Sequence, residues 1–193
     1  AQSVSIAFYC IGFGEAVAAL AGQAAVTSQR VAVAAVALLL VLAWKGADVA
    51  TRFQYVVMAF LTGALASFYA GGFMRWDGAL AAANWSAADG GLGFWVLFAI
   101  FFPAVTGFTQ GVSMSGDLKD PARSLPLGTF LAVGISILVY FSVAVLFAGA
   151  LPLDVLREDY NAMKQVAVWG VLIDAGVVAA TLSSAMASFL GAP

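Results

Sequence analysis

Long stretches without a charged side chain constrain this sequence more than any other feature. Residues 92 to 114 and residues 125 to 150 contain no charged residue. A helix needs roughly 20 mainly apolar residues to cross the hydrocarbon core of a bilayer, and both stretches are long enough. Charged residues make up 9% of the chain and the mean hydropathy is +1.00, whereas a soluble domain carries about 25% charged residues. The sequence therefore predicts an integral membrane protein with several spans.

The apolar runs predict an all-α membrane protein in which the whole chain forms a single transmembrane domain. Six spans are expected, at about 4–25, 26–44, 53–73, 92–114, 125–150 and 166–190. The runs are apolar on every side, which is typical of helices embedded in lipid. The fifth helix is predicted to begin near Ser124 and Pro126. Residues 152 to 165 alternate charged and apolar types and predict a short surface helix.

Several functional classes are disfavoured by what the sequence lacks. The net charge of −2 argues against a nucleic-acid partner, and the expected partners are membrane lipid and small inorganic ions. There is no histidine and a single cysteine, Cys10, so we predict no enzyme, no cofactor and no transition-metal site. The chain begins at Ala1 within one apolar run and ends at Pro193 after another. We therefore expect it to be part of a longer protein. A homodimer of that longer protein is a further possible assembly.

The fourth span contains a pattern that predicts a broken helix. Pro103 removes a backbone donor, Gly107 lies four residues further on, and Thr106 adds a hydroxyl between them. Unwound backbone at membrane depth is tolerated only where protein buries it or where it lines a cavity. In a cavity, exposed carbonyls coordinate cations and exposed N–H groups attract anions. An ordinary proline kink is the alternative, since proline and glycine are common in membrane helices.

The sixth span places one carbonyl and two hydroxyls on the same face. Ala180, Ser183 and Ser184 lie at i, i+3 and i+4 of the predicted helix. These are hard oxygen ligands that suit a small hard cation. The alternative is a seam of small residues through which helices approach closely, with the serine hydroxyls bonded to the preceding turn.

Three further polar side chains lie within predicted spans. Tyr9 stands in the first span, and a buried tyrosine hydroxyl needs a partner on a neighbouring helix or an ion. Glu15 and Asp174 are acids inside spans, which makes them candidates for function. Glu15 as a structural anchor and Asp174 as a solvated residue near a helix end are the alternatives.

Several segments together resemble the cation–chloride cotransporters of the amino acid–polyamine–cation superfamily. The stretch FFPAVTGFTQGVSMSGDLKDPARSLPLGTFLA resembles their sixth and seventh helices with the intervening loop. AFYCIGFGEAV resembles their third helix and ATLSSAMASFLGAP their eighth. These segments follow the order and spacing of the family and together span nearly the whole chain, and the helices between them match mainly in length and hydropathy.

This resemblance implies a fold and a topology. The fold would be part of the inverted five-plus-five (LeuT-like) repeat, and the chain would hold transmembrane helices three to eight, with the fourth span of the chain broken. Helices one and two and everything after helix eight would lie outside it. Residues 45 to 52 and 116 to 124 would face the cytoplasm, and residues 74 to 91 and 152 to 165 the outside, in a plasma or inner membrane.

The resemblance also implies roles for individual residues in ion binding. Potassium would be held by Tyr9, Pro103 and Thr106, and sodium by Ala180, Ser183 and Ser184. Chloride would be held by the backbone of Gly107, Phe108 and Thr109, although the family has aliphatic residues where Phe108 and Thr109 stand. Ser184 resembles the sodium-coupled members, and Tyr9 resembles the members that bind potassium.

The function expected from this resemblance is secondary active symport of sodium and/or potassium with chloride by alternating access. The transported ions would be Na⁺, K⁺ and Cl⁻. The alternative is a sodium- or proton-coupled amino-acid or amine transporter of the same superfamily, since fold does not fix substrate. A membrane scaffold without transport activity is a third possibility.

Overall fold

The computed structural model describes residues 2–21, 27–44, 47–85, 92–102 and 115–190, and the regular elements in these ranges are helical. One 3₁₀ turn covers Ser115–Asp117. The α-helices are α1 (Gln2–Ala21), α2 (Ser28–Trp44), α3 (Ala47–Met74), α4 (Gly78–Trp85), α5 (Phe94–Phe101), α6 (Pro121–Ala150), α7 (Leu153–Glu158), α8 (Ala162–Val166) and α9 (Gly170–Leu190).

Four of these helices are long and apolar enough to cross a bilayer. They are the segments Ser3–Ala21, Arg52–Met74, Pro121–Ala150 and Gly170–Leu190, and α2 is an apolar helix of shorter length. Large apolar side chains on α6 are exposed in the chain itself, among them Phe130, Leu138 and Phe141. Such a surface fits a lipid environment, so the prediction of an all-α integral membrane protein is confirmed. The count of six spans and the inverted repeat stay predictions.

Helix α6 begins earlier than the sequence pattern indicated. Its first residue is Pro121, and the side chain of Asp120 accepts a hydrogen bond from the backbone N–H of Arg123 at 3.4 Å. Proline suits the first helical position because its missing N–H would have no partner there. Pro126, which suggested the start, lies within the helix.

The expected surface helix is divided into two short helices, α7 and α8. Asp159 stands between them, and its carboxylate accepts hydrogen bonds from the backbone N–H of Asn161 at 2.7 Å and from the side-chain amide of Gln165 at 2.6 Å. An aspartate that bonds the backbone two residues on favours a turn over a continuing helix. This turn accounts for the break.

The described residues form two compact units. The first, Ala1–Met74 with Asp159–Pro193, contains α1, α2, α3, α8 and α9. Helix α9 packs against both α1 and α3. Near the start of α3, Gln54 contacts Ser183, and further along α3, Ser67 contacts Trp169. Helices α3 and α9 are therefore antiparallel. Helix α9 is therefore the central element of this unit.

Small residues allow the helices of this unit to approach closely. A Cβ added at Gly176 of α9 would lie 2.9 Å from the Cβ of Ala64 on α3. A Cβ added at Gly71 of α3 would collide with the carbonyl group of Val166 in α8. Contacts of this kind are a usual means of helix association in membranes, since apolar side chains gain little by leaving lipid.

The second unit, Arg75–Glu158, is organised around the C-terminal end of α6. The side-chain amide of Asn84 in α4 donates hydrogen bonds to the carbonyl oxygens of Ala148 at 2.7 Å and Leu151 at 2.9 Å. The backbone N–H of Asp77 donates to the carbonyl of Gly149 at 2.9 Å. These bonds satisfy carbonyls that a helix end leaves without intrahelical partners.

The close approach at Gly71 yields a test of helix packing. Gly71→Ala places a methyl group against backbone that cannot move aside, so we expect a loss of about 1–3 kcal/mol in the free energy of unfolding. Gly63→Ala is the matched control on the same helix, because a Cβ there meets nothing within 4 Å. Thermal unfolding of the protein in detergent should show a lower midpoint for Gly71→Ala alone. Equal midpoints for the two variants would contradict the packing of α3 on α8.

Candidate ion-binding site

The candidate cation ligands lie on one face of α9, a helix of the first unit. Ala180, Ser183 and Ser184 are all half-buried there. The neighbouring Thr181 bonds back to its own helix, with its hydroxyl 3.0 Å from the carbonyl oxygens of both Val177 and Val178. Thr181 therefore follows the behaviour expected of hydroxyls in a structural seam, and Ser183 does not.

Ser183 makes a reciprocal contact with Gln54 of α3. The Ser183 hydroxyl donates to the side-chain oxygen of Gln54, and the Gln54 side-chain amide donates to the Ser183 carbonyl oxygen at 3.5 Å. Both residues are half-buried, and they are separated by 129 positions in the sequence. A polar pair between two membrane helices holds the helices together and also fixes the direction of the serine hydroxyl.

Tyr9 lies on α1, next to the same helix α9. It is partly buried against a cluster of five buried residues, Cys10, Ala35, Leu39, Ala185 and Met186, which belong to α1, α2 and α9. The Tyr9 ring also meets Phe8 edge to face, with ring centroids 5.9 Å apart. The structure thus places Tyr9 against a cluster that α1, α2 and α9 share, and α1 itself packs against α9.

The N-terminal end of α9 is fixed by polar contacts. The hydroxyl of Ser67 accepts a hydrogen bond from the backbone N–H of Trp169 at 2.8 Å, and the Ser67 carbonyl accepts one from Val168 at 3.1 Å. Asp174 pairs with Lys164 at 2.8 Å. Because both partners are partly exposed, the ion pair contributes little to stability. Asp174 is therefore a paired acid near the end of its helix.

Five of the predicted site residues belong to the predicted break in the fourth span. The predicted helix break stays a prediction, because its residues lie outside the described part of the chain: Pro103, Thr106, Gly107, Phe108 and Thr109. Glu15 is exposed on α1.

The face of α9 that carries Ala180, Ser183 and Ser184 offers neutral oxygens only. Among the described residues, no three His, Cys, Asp or Glu side chains come together as metal ligands. Serine hydroxyls and backbone carbonyls are hard ligands that can replace part of the hydration shell of a small monovalent cation. A cation held this way keeps its full positive charge, which favours an accompanying anion.

Sequence reasoning did not identify Gln54. The sequence did contain a feature that could have identified it: Gln54 is a polar amide near the start of the long apolar run that follows Arg52. Polar side chains within spans are candidates for function by default. Its partner on α9 could not be found without the packing of α3 on α9.

The Ser67 contact provides a test of how α9 is held. Ser67→Ala removes the acceptor for the Trp169 N–H in a buried position, so the free energy of unfolding should fall by about 0.5–2 kcal/mol. Ser142→Ala is the control, because that hydroxyl donates to the carbonyl of Val139 within its own helix at 2.9 Å. Both variants are compared by thermal unfolding in detergent. A midpoint for Ser67→Ala equal to that of the control would show that the contact does not stabilise α9.

Comparison with known proteins gives one family. The profile of the amino acid permease family matches residues 1–193. Solute carrier family 12 member 8 of Mus musculus is 32% identical, over 100% of this chain and 29% of its own length. Solute carrier family 12 member 1 of Mus musculus is 28% identical, over 100% of this chain and 23% of its own length. The chain therefore spans less than a third of the length of these curated relatives.

These matches confirm the resemblance drawn from the sequence, since solute carrier family 12 comprises cation–chloride cotransporters. They are transporters and not enzymes. Together with the apolar helices, the matches show that this chain is an integral membrane protein that belongs to the amino acid permease family.

Proposed function

We propose that the protein carries out secondary active symport of sodium and/or potassium with chloride across the membrane. The observation that carries the proposal is the Ser183 hydroxyl, directed by Gln54 on a membrane helix of a chain related to cation–chloride cotransporters. The single donor of this hydroxyl is used on Gln54, so its oxygen lone pairs are directed away from that contact and can accept a cation.

In this proposal sodium binds to the carbonyl of Ala180 and the hydroxyls of Ser183 and Ser184. The three groups share one face of α9, and none of them is charged. Such a set binds a small cation without a carboxylate. An ion pair in a dry site is costly unless each ion is compensated, so a site without an acid favours entry of a cation together with an anion.

The potassium and chloride sites of the proposal follow from the resemblance. Tyr9, Pro103 and Thr106 would hold potassium, and the backbone of Gly107, Phe108 and Thr109 would hold chloride. The support from the described residues is the position of Tyr9 beside α9. A tyrosine on a helix that packs against α9 is suited to supply a hydroxyl to a second, larger cation.

Transport in this proposal occurs by alternating access. In repeat-built transporters, ions bind near discontinuous helices at mid-membrane and one bundle rocks against the other. Six spans, a broken fourth span and an inverted five-plus-five repeat are the architecture that we propose for this chain.

The proposal is tested with the protein expressed from its complete open reading frame and reconstituted in proteoliposomes. Uptake of a potassium tracer is measured while sodium and chloride are each replaced in turn, by choline and by gluconate. We expect uptake to fall to background when chloride is removed, and to fall when sodium is removed.

Two results would contradict the proposal. Sodium entry driven by an amino acid, with no dependence on chloride, would establish the amino-acid transporter alternative. An absence of flux for every ion, in protein that is folded by size-exclusion chromatography, would support a membrane scaffold.

Two substitutions test the proposed ligands. Ser184→Ala should raise the sodium concentration for half-maximal uptake by about tenfold, which is the effect of about 1.4 kcal/mol. Tyr9→Phe should raise the corresponding potassium concentration, because the phenolic oxygen is removed while the ring remains.

Tyr55→Phe is the matched control for the tyrosine, since Tyr55 is exposed on α3. The proposed cation ligands would be wrong if both site variants kept the ion dependence of the unchanged protein.

A further inference from the structure

We propose that Gln54 is a positioning residue for the cation site of α9 and sets its selectivity for sodium. The inference rests on the proposed function, in which Ser183 is a sodium ligand. It assigns a role to a residue on α3, a helix to which neither the motifs nor the resemblance gave any site residue.

The first step is the hydrogen-bond inventory of a serine hydroxyl. A hydroxyl has one donor and two acceptor lone pairs. The Ser183 hydroxyl uses its donor on the side-chain oxygen of Gln54. Both lone pairs of the Ser183 oxygen are then directed away from that donor, which is the orientation a cation requires of its ligand.

The second step is the orientation of the glutamine itself. The Gln54 side-chain amide donates to the carbonyl oxygen of the same residue, Ser183, at 3.5 Å. This contact is long for a hydrogen bond, and it favours the orientation in which the N–H₂ group lies toward the carbonyl and the oxygen toward the hydroxyl. If the amide were reversed, its N–H₂ group would donate to the Ser183 oxygen and occupy a lone pair that a cation needs.

The third step is the position of the pair between two helices. Gln54 belongs to α3 and Ser183 to α9, and the two helices also meet at Ala64 and Gly176. A change in the spacing of α3 and α9 would therefore change the direction of the Ser183 hydroxyl. Partners that orient a ligand in this way typically change metal affinity by about 10–100-fold when they are removed.

The experiment uses the protein from its complete open reading frame in proteoliposomes, with chloride present throughout. Half-maximal concentrations for sodium and for potassium are measured separately, as is the maximal rate per folded protein. Gln54→Leu removes both contacts, and Gln54→Glu keeps an acceptor for the Ser183 hydroxyl and adds a negative charge. Thr62→Val on the same helix is the control, because the Thr62 hydroxyl is exposed and bonds to Met58 of its own helix at 2.7 Å.

The expected result is specific to sodium. Gln54→Leu should raise the half-maximal sodium concentration about tenfold and leave the potassium value within about twofold. Gln54→Glu should keep the sodium value near that of the unchanged protein or lower it. In a Ser183→Ala background, Gln54→Leu should have no further effect on the sodium value, since the two residues act through one oxygen.

Other results would overturn the inference. If Gln54→Leu and Gln54→Glu lowered only the amount of folded protein or the maximal rate, Gln54 would serve helix packing alone. If Gln54→Leu did not fold, Gln54→Ala would take its place, and a half-maximal sodium concentration in Gln54→Ala equal to that of the unchanged protein would have the same meaning. Failure of the proposed function is distinguishable, because the unchanged protein would then show no dependence of uptake on sodium.

Discussion

Polar side chains that lie between membrane helices need partners, and the reciprocal contact between Gln54 and Ser183 provides them where α3 and α9 meet. Each side chain satisfies the other across the boundary between α3 and α9. Helix α9 packs against α1 on another side, so the pair stands within a three-helix arrangement. The same contact that joins α3 to α9 also directs the Ser183 hydroxyl. Structure and proposed ion binding thus depend on one pair of side chains.

The remaining contacts around α9 are made by residues that are small or polar. Gly176 admits Ala64, and Ser67 holds the backbone at Trp169. In water the hydrophobic effect would drive such packing, but lipid is as apolar as the side chains themselves. Close approach and hydrogen bonds therefore determine which helices meet. One helix can therefore contain both a small-residue seam and the proposed oxygen ligands, because the seam brings α3 near enough for Gln54 to reach Ser183.

Much of the fold could be predicted from the sequence because hydropathy directly reports which segments are embedded in lipid. The long helices α1, α3, α6 and α9 lie where the apolar runs are. The start of α6 at Pro121 was missed because Pro126 is also an acceptable helix start, and only the bond from Arg123 to Asp120 decides between them. That Ala180, Ser183 and Ser184 share one face of a helix followed from helical periodicity, and their role as ligands stays a prediction. Gln54 did not, because its role depends on a partner 129 positions away, and periodicity within one helix carries no information about packing between helices.

The central claim is that α9 binds a sodium ion through hydroxyls that α3 orients. Equilibrium binding of radioactive sodium to the purified full-length protein tests this claim without requiring transport. Saturable binding that is stronger in potassium chloride than in potassium gluconate, and that is weakened by Ser183→Ala, is the result that the account predicts. Sodium binding that does not saturate, or that is unchanged by Ser183→Ala and by replacement of chloride, would contradict it.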